Sequence, residues 1–173
     1  AYDTVQYISN HDEQRIMYQL GAIANTFDDA AFRRAKLGAS LLLTAPGIPM
    51  IWMGEEFGQP TIKSLDPEPL QWGLLENDRN KGLFQHYAHL TKLRKENPAL
   101  TSENYEPILD LPERGIIGFK RWNDQGDVVV VVANLRPVYA GEFELANAGL
   151  EDGLWHEALF GYDTTISNGR LKD

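Results

Sequence analysis

The sequence predicts an α/β region followed by an all-β region, and two observations carry this prediction. Within residues 1–102, two β-prone runs are each followed by a helical pattern, and consecutive strand–helix units imply a parallel sheet with right-handed crossovers. From residue 103 onward, short β-prone runs alternate with turn residues, which is typical of an antiparallel β-sandwich. We therefore expect two domains, residues 1–102 and residues 103–173.

Length, charge and cysteine content exclude several classes of protein. The 173 residues can bury one good core or two small ones. The formal net charge of −9 argues against nucleic acid, which needs clustered Lys and Arg, and against anionic membranes. The longest apolar run, residues 41–54, is interrupted by prolines and is too short for a membrane span. The chain has no cysteine, which excludes disulfides and favours a reducing compartment, so we predict a cytoplasmic protein.

The first β-prone run, residues 4–8, ends in the polar residues Ser9, Asn10, His11 and Asp12. Polar groups just past the carboxyl end of a buried strand are where α/β folds carry their chemistry. A simpler interpretation is a strand followed by an Asp or Asn helix cap. The residues alone leave both interpretations open.

A helix and a second strand follow. Asp28 and Asp29 supply an N-cap and favourable charge, and small apolar residues recur behind them at helical spacing. Residues 44–47 end this helix, and residues 48–53 are apolar on both alternating faces, as in a parallel strand covered on both sides. Two carboxylates, Glu55 and Glu56, come directly after this strand. Adjacent strand-end residues point to opposite sides, so at most one of these two carboxylates can face a site at the strand ends. We expect a structural role for them.

A long loop, residues 59–82, should lie at the same edge as the polar strand ends, where lids and substrate contacts concentrate. Within it, stacking of Trp72 on a ring of a bound ligand and packing of Trp72 within the loop are equally open. A second helix is predicted over residues 80–96. His86 and His89 lie three residues apart on it without a nearby carboxylate pattern, so we predict a solvated face and neither a metal ion nor a cofactor.

The predicted β module contains short strands separated by turns. The run from Val128 to Val132 is uniformly β-branched and predicts a central strand buried on both faces. Asn168 and Gly169 resemble a hairpin turn, but so few residues follow that the closing strand is expected to be shortened or lost. The predicted strands cover residues 105–111, 116–122, 127–135, 140–146, 155–160 and 164–167.

Two motifs together resemble the α-amylase superfamily, glycoside hydrolase family 13. Its seventh barrel strand ends in Asn-His-Asp, matched by residues 10–12, and its eighth strand carries a Gly-x-Pro motif followed by glycine and glutamate. That second motif is matched by Gly47, Pro49, Gly54 and Glu55. The resemblance implies the last two β/α units of a TIM (β/α)8 barrel, from strand 7 to helix 8, followed by the family's C-terminal antiparallel β-sandwich domain.

The subfamily rests on three further stretches. Residues 54–59, 69–75 and 96–100 favour the glucan-branching and trehalose-releasing branches. Branching enzymes, however, commonly have Ser where this chain has Asn10, which leaves plain α-amylase open. Hydrolysis and transfer differ only in whether water or a sugar hydroxyl attacks, and these residues do not decide between them.

The resemblance also implies roles for individual residues. Asp12 would be the third carboxylate of the site and stabilise the transition state, while His11 and Asn10 would bind the substrate. Gly47, Pro49, Gly54 and Glu55 would be structural strand-end positions. A retaining glycosidase further needs a nucleophile and an acid/base carboxylate about 5–5.5 Å apart. In this family these follow earlier barrel strands, so we expect this chain to be a C-terminal fragment that is inactive alone.

The expected partners are an α-glucan such as starch or glycogen and the missing N-terminal part of the same barrel. Barrel strands without neighbours expose apolar surface, which also predicts self-association. An alternative function is a carbohydrate-binding or structural β-sandwich module, with Trp122 and Trp155 as candidate binding residues, although burial in the core is the favoured interpretation of both. A small unrelated α/β protein that oligomerises to complete its sheet is a third interpretation.

Overall fold

The structure is a computed structural model that describes residues 4–23, 25, 28–141, 143–145 and 148–172. The chain divides into two compact units, Ala1–Glu96 and Asn97–Asp173. The division at residues 102 and 103 stays a prediction about domains. None of the helices in the described ranges is long and apolar enough to cross a membrane.

The first unit contains a β–α–β arrangement. Strand β1 (Val5–Gln6) pairs in parallel with β2 (Ile48–Pro49), so the chain crosses over through a helix between them. Each strand has two residues, far fewer than the run 48–53 predicted. Val5 and Ile48 are 51% and 56% exposed, because the two strands form a sheet of their own within the described part of the chain. The predicted burial on both faces is therefore wrong.

Helices precede and follow the second strand of this small sheet. Helix α1 (Ile16–Tyr18) continues into a π-helical turn (Gln19–Ile23). Helix α2 (Asp29–Thr44) begins as predicted, with the Asp28 carboxylate accepting a hydrogen bond from the Ala30 amide at 2.8 Å.

Helix α3 (Asp78–Glu96) packs against α2 and forms the core of the first unit. One prediction on this helix is wrong. His86 is half-buried, and its Nε2 lies 3.0 Å from Ser40 Oγ and 3.1 Å from the Lys36 carbonyl oxygen, because the α2–α3 contact covers this position. His89 is exposed as expected. The buried core residues are Met17, Ala31, Phe32, Ala35, Ala39, Leu43, Leu83, Tyr87 and Leu90.

The second unit begins with the short helix α4 (Pro98–Thr101) and continues as two antiparallel sheets. The first has the order β3-β4-β5, and the second has the order β6-β9-β8-β7. The strands are β3 (Asn104–Leu111), β4 (Ile116–Trp122), β5 (Val128–Asn134), β6 (Glu144–Leu145), β7 (Gly153–His156), β8 (Asp163–Ser167) and β9 (Arg170–Lys172).

Two strand predictions in this unit are wrong. The valine-rich strand β5 is an edge strand, and β4 occupies the centre of its sheet because it pairs with both β3 and β5. Val128, at the start of β5, is 39% exposed. The closing strand is also present, since β9 pairs with β8 on one side and β6 on the other.

Apolar side chains from both sheets form one core, which confirms the predicted antiparallel sandwich. The fully buried members are Leu145, Ala148, Leu150 and Ile166. Partly buried residues from β3, β5 and β7 pack against them, and they include Ile108, Leu109, Val130, Val132 and Trp155.

Candidate active site

The turn after β1 presents His11 and Asp12 side by side to solvent. The Asp12 amide donates to Asn10 Oδ1 at 2.7 Å, an Asx turn that sets the direction of the chain. His11 Nε2 lies 3.2 Å from Asp12 Oδ2, and each side chain is 72% exposed. The structure thus brings together all three predicted residues, but it uses the Asn10 side-chain oxygen to shape the turn.

A buried hydrogen bond lies directly beneath this turn. Ser9 Oγ donates to Glu55 Oε2 at 2.7 Å, and the two residues are 0% and 1% exposed. Burial, with a smaller contribution from the charge of Glu56, raises the pKa of Glu55 to about 7, although the Ser9 hydrogen bond opposes this shift. Glu55 therefore joins the segments that follow β1 and β2, and its buried carboxyl group does not reach the solvent-facing site.

The other strand-end positions are explained by backbone geometry. Gly47 has a φ of 103°, and a Cβ on it would lie 2.9 Å from the Thr4 carbonyl oxygen. Gly54 has a φ of 90°, and its amide donates to Glu56 Oε2 at 2.8 Å. Pro49 stands opposite Gln6 in the two-residue ladder. Positive φ favours glycine at both positions, and at Gly47 the close approach of the Thr4 carbonyl oxygen adds to this requirement.

The aromatic ring of Trp52 and the guanidinium group of Arg15 lie beside His11. The Trp52 ring centroid is 6.1 Å from that of His11, and the Arg15 guanidinium carbon is 5.8 Å from the Trp52 ring centroid. Together with part of the loop 59–71, these groups enclose a cavity of about 190 Å³. Its lining includes Asn10, His11, Arg15, Trp52, Thr61 and Lys63.

Lys63 is the residue that sequence reasoning missed. Its Nζ donates to the Asp12 carbonyl oxygen at 2.9 Å and lies 4.0 Å from Asp12 Oδ1. The two residues are 51 positions apart, and the long loop carries no motif that would single out one lysine. The only signal was the expectation that substrate contacts concentrate in this loop.

Trp72 begins a short 3₁₀ helix (Trp72–Glu76) after this loop and packs against Phe57 with ring centroids 5.2 Å apart, while 57% of its surface stays exposed. Among the residues that the structure describes, no group of three or more His, Cys, Asp or Glu side chains could hold a metal ion.

Comparison with known proteins points to one superfamily, although no family model matches the chain. The chain is 31% identical over 170 residues to the 1,4-alpha-glucan branching enzyme GlgB 1 of Xanthomonas campestris pv. campestris strain 8004, covering 92% of this chain and 23% of that protein. It is 34% identical over 99 residues to the branching enzyme GlgB of Pseudomonas putida, covering 54% of this chain and 13% of that protein. The chain thus spans about a quarter or less of these relatives' length.

Solved structures agree on the fold. An Anoxybacillus alpha-amylase matches with a TM-score of 0.79 at 23% identity, covering 99% of this chain and 35% of that one. The alpha-amylase of Geobacillus thermoleovorans, complexed with acarbose, matches with a TM-score of 0.75 at 19% identity, covering 99% of this chain and 36% of that one.

Fold and site define the class of the protein: strand–helix units from the end of an amylase-type barrel, with polar residues at the strand ends, followed by a β-sandwich. The sequence relatives narrow this class further. The chain belongs to the α-amylase superfamily, glycoside hydrolase family 13, and the sequence relatives described above are branching enzymes. The resemblance predicted from the two motifs is confirmed.

Proposed function

We propose that this chain supplies the transition-state carboxylate of an α-glucan-active retaining glycosidase or transglycosylase. The observation that carries this proposal is the solvent-facing pair His11 and Asp12, 3.2 Å apart at the end of β1. Glycoside cleavage passes through an oxocarbenium-like transition state, and hydrogen bonds to sugar hydroxyls strengthen there. A fixed carboxylate beside an imidazole can make such bonds without rearranging.

The nucleophile and the acid/base carboxylate come, in this proposal, from earlier strands of the same barrel. Glu55 is an unsuitable substitute because its carboxyl group is buried and bonded to Ser9. The chain alone is therefore inactive. Its first partner is the remaining part of the barrel, and the absence of cysteine favours assembly in a reducing compartment such as the cytoplasm.

Exposed apolar residues beside the short sheet support this partner. Val5, Tyr7, Ile48 and Met53 are between 44% and 56% exposed. In an isolated chain the same surface favours self-association, because burying exposed apolar patches is energetically favourable.

The substrate in this proposal is an α-1,4-glucan such as starch or glycogen. The relatives are branching enzymes by name, and one structural neighbour was solved with acarbose. Transfer to a sugar hydroxyl is favoured over hydrolysis by the branching-enzyme relatives, although both reactions share the same glycosyl-enzyme intermediate.

The test is reconstitution. The chain is mixed with a separately produced N-terminal part of the Xanthomonas campestris relative, truncated before the segment that matches residue 4. Release of reducing sugar from amylose and the change in iodine staining report hydrolysis and branching. We expect activity in the mixture, none in the chain alone, and a loss on the order of 100-fold or more in Asp12→Asn, comparable to removing one transition-state hydrogen-bonding group.

A matched control is Asp110→Asn, which changes an exposed carboxylate on β3 and should leave the activity of the mixture unchanged. Amylose cleavage by the chain alone, or an Asp12→Asn mixture as active as the unsubstituted one, would contradict the proposal.

The alternative of a carbohydrate-binding β-sandwich has less support from the candidate tryptophans. Trp155 packs against the sandwich core, and its Nε1 donates to the Glu151 carbonyl oxygen at 3.1 Å. Trp122 is half-buried, with Lys120 Nζ 5.2 Å from its ring centroid. Saturable maltooligosaccharide binding that is lost in Trp122→Ala or Trp155→Ala, but kept in Asp12→Asn, would favour this module.

A further inference from the structure

The carboxyl group of Glu55 lies where several segments of the first unit meet. Ser9, from the segment after β1, donates to Glu55 Oε2 at 2.7 Å, and both residues are almost completely buried. Tyr87 approaches the same carboxyl group from α3, and Arg15, directly before α1, interacts with its charge. These surroundings restrict the carboxyl group, so the Ser9 hydroxyl has an acceptor in a fixed position.

The backbone that carries Glu55 is fixed as well. The Glu55 carbonyl oxygen accepts from the Gly58 amide at 3.0 Å, which closes a one-turn 3₁₀ helix (Glu55–Phe57). Asn80, on α3, donates from Nδ2 to the Phe57 carbonyl oxygen at 2.7 Å, and both of these side chains are buried. The 3₁₀ helix is therefore tied to a long helix of the core.

Ser9 stands between the parallel strand pair and the exposed turn. The pairing of β1 with β2 ends at Gln6, whose carbonyl oxygen accepts from the Met50 amide at 2.8 Å. Ser9 follows three residues later, and the Asx turn begins directly after it. Within that turn the Asp12 amide donates to Asn10 Oδ1 at 2.7 Å. A shift of the Ser9 backbone is therefore passed on to Asp12.

We infer that Glu55 is a positioning residue: by accepting the Ser9 hydrogen bond, it fixes the direction in which the following turn presents Asp12. Glu55 itself does not line the cavity that contains His11 and Trp52. The inference rests on the proposed function for its catalytic consequence, since the Asp12 carboxylate must meet the sugar without rearranging. Misplacing a reacting group by about 1 Å can cost a rate about 100-fold, so a bond outside the cavity affects the reaction.

The first test uses the chain itself and ¹⁵N relaxation at pH 6. Because the pKa of Glu55 is about 7, the carboxyl group is neutral there, and Glu55→Gln keeps a neutral side chain that can accept from Ser9. Glu55→Met keeps a similar length but has no oxygen. The order parameter of the Asp12 amide should stay near about 0.85 in the unsubstituted chain and in Glu55→Gln. It should fall toward about 0.6 in Glu55→Met and in Ser9→Ala.

The control for a general loss of stability is Ala88→Gly, at an exposed position of α3. Glycine is a poor helix former, so this change destabilises the same unit and should leave the Asp12 order parameter unchanged. The inference is overturned if the order parameter stays high in both Glu55→Met and Ser9→Ala. An equal fall in Glu55→Gln or in Ala88→Gly overturns it too, because the acceptor oxygen would then not be the cause.

The second test measures the catalytic consequence in the reconstituted mixture. We expect kcat to fall on the order of tenfold in Glu55→Met and Ser9→Ala with KM nearly unchanged, because a transition-state contact is misplaced. Glu55→Gln should keep most of the unsubstituted kcat. Full kcat in Glu55→Met despite a disordered turn overturns the catalytic part of the inference. An Asp12→Asn mixture with full activity contradicts the proposed function, while the order parameters still decide whether Glu55 positions the turn.

Discussion

Ser9 and Glu55 are joined by a 2.7 Å hydrogen bond between two side chains that are almost completely buried. Ser9 lies one residue before the Asn-His-Asp turn, and Glu55 begins a one-turn 3₁₀ helix (Glu55–Phe57) that follows β2, so this bond links the segments after the two strands. Tyr87, on α3, brings its hydroxyl toward the same carboxyl group and, like Ser9, opposes the rise in the pKa of Glu55. Burial has the larger effect, because the charged form of the carboxyl group is poorly solvated there.

The first prediction is a loss of stability as the pH rises. The pKa of Glu55 is raised from 4.5 to about 7 in the folded chain, mainly by burial. Between these values the unfolded chain releases the proton and the folded chain keeps it, so the free energy of unfolding falls with increasing pH. At about 1.4 kcal/mol per pKa unit, the loss amounts to about 3 kcal/mol above pH 7.

Glu55→Gln removes the titrating carboxyl group and should abolish this loss of stability. Urea unfolding of both proteins at a series of pH values from 4.5 to 8 gives the difference in the free energy of unfolding. We expect this difference to shift in favour of the variant as the pH rises. A parallel pair of curves would mean that Glu55 has the same pKa in the folded and unfolded chain, so that burial does not control its protonation.

The second prediction concerns His86 and has the opposite sign. Burial between α2 and α3, aided by the charges of Lys36 and His89, lowers the pKa of His86 below its usual 6.5, although the Lys36 carbonyl opposes the shift. Below about pH 6.5 the unfolded chain takes up a proton that the folded chain does not, so stability falls as the pH decreases.

The variant His86→Gln should lose this acid-side decrease between pH 6.5 and 5, because an amide has no proton to gain. The control is His89→Gln, which changes an exposed histidine on the same helix. Measured in the Glu55→Gln background, the two histidine variants should differ in the slope of unfolding free energy against pH. Equal slopes would show that His86 titrates like an exposed residue.

The position of the Asn-His-Asp turn follows from local sequence, because a short apolar run ending in polar residues specifies a strand end without help from distant parts. The motif around Gly47 and Gly54 could also be recognised from the sequence, since both positions have a positive φ that favours glycine. Lys63 was not predictable, because its tie to Asp12 depends on how two segments 51 residues apart meet.

The wrong predictions about strands of the β-sandwich have a different physical origin. The run Val128–Val132 has the composition of a central strand, but the number of neighbours is decided by which strands pair, and β5 has one. The short β9 is likewise stabilised by two partners and not by its own length. Burial of His86 depended on the α2–α3 packing, which the helical pattern of α3 alone does not specify.

The third prediction concerns Arg94, which holds the end of α2. Its Nη1 donates to the carbonyl oxygens of Leu43 at 2.8 Å and Ala45 at 3.0 Å, and its Nη2 donates to that of Gly47 at 2.8 Å. A lysine ammonium is a point charge and cannot reproduce this planar fork. We expect Arg94→Lys to lower the free energy of unfolding by about 1–3 kcal/mol, since carbonyl partners are lost.

The control for Arg94→Lys is the reciprocal change Lys95→Arg at an exposed neighbour, which should leave the free energy of unfolding unchanged. Equal effects of the two changes in urea titrations would exclude a specific role for the planar guanidinium group.

The fourth prediction concerns Gly58, where backbone conformation and packing both require glycine. Its φ is 71°, and a Cβ would lie 3.2 Å from a Leu83 methyl carbon and 3.3 Å from atoms of Met17 and Phe32. Gly58→Ala therefore meets a left-handed backbone cost of roughly 1–2 kcal/mol and, in addition, core crowding of about 1–3 kcal/mol. Gly161→Ala is the matched control, because its φ is 76° and no atom lies within 4 Å of the added carbon. Amide hydrogen exchange, measured separately around each position, should show a larger loss of protection at Gly58. Equal losses at the two positions would mean that the core accommodates the added methyl group without a loss of stability.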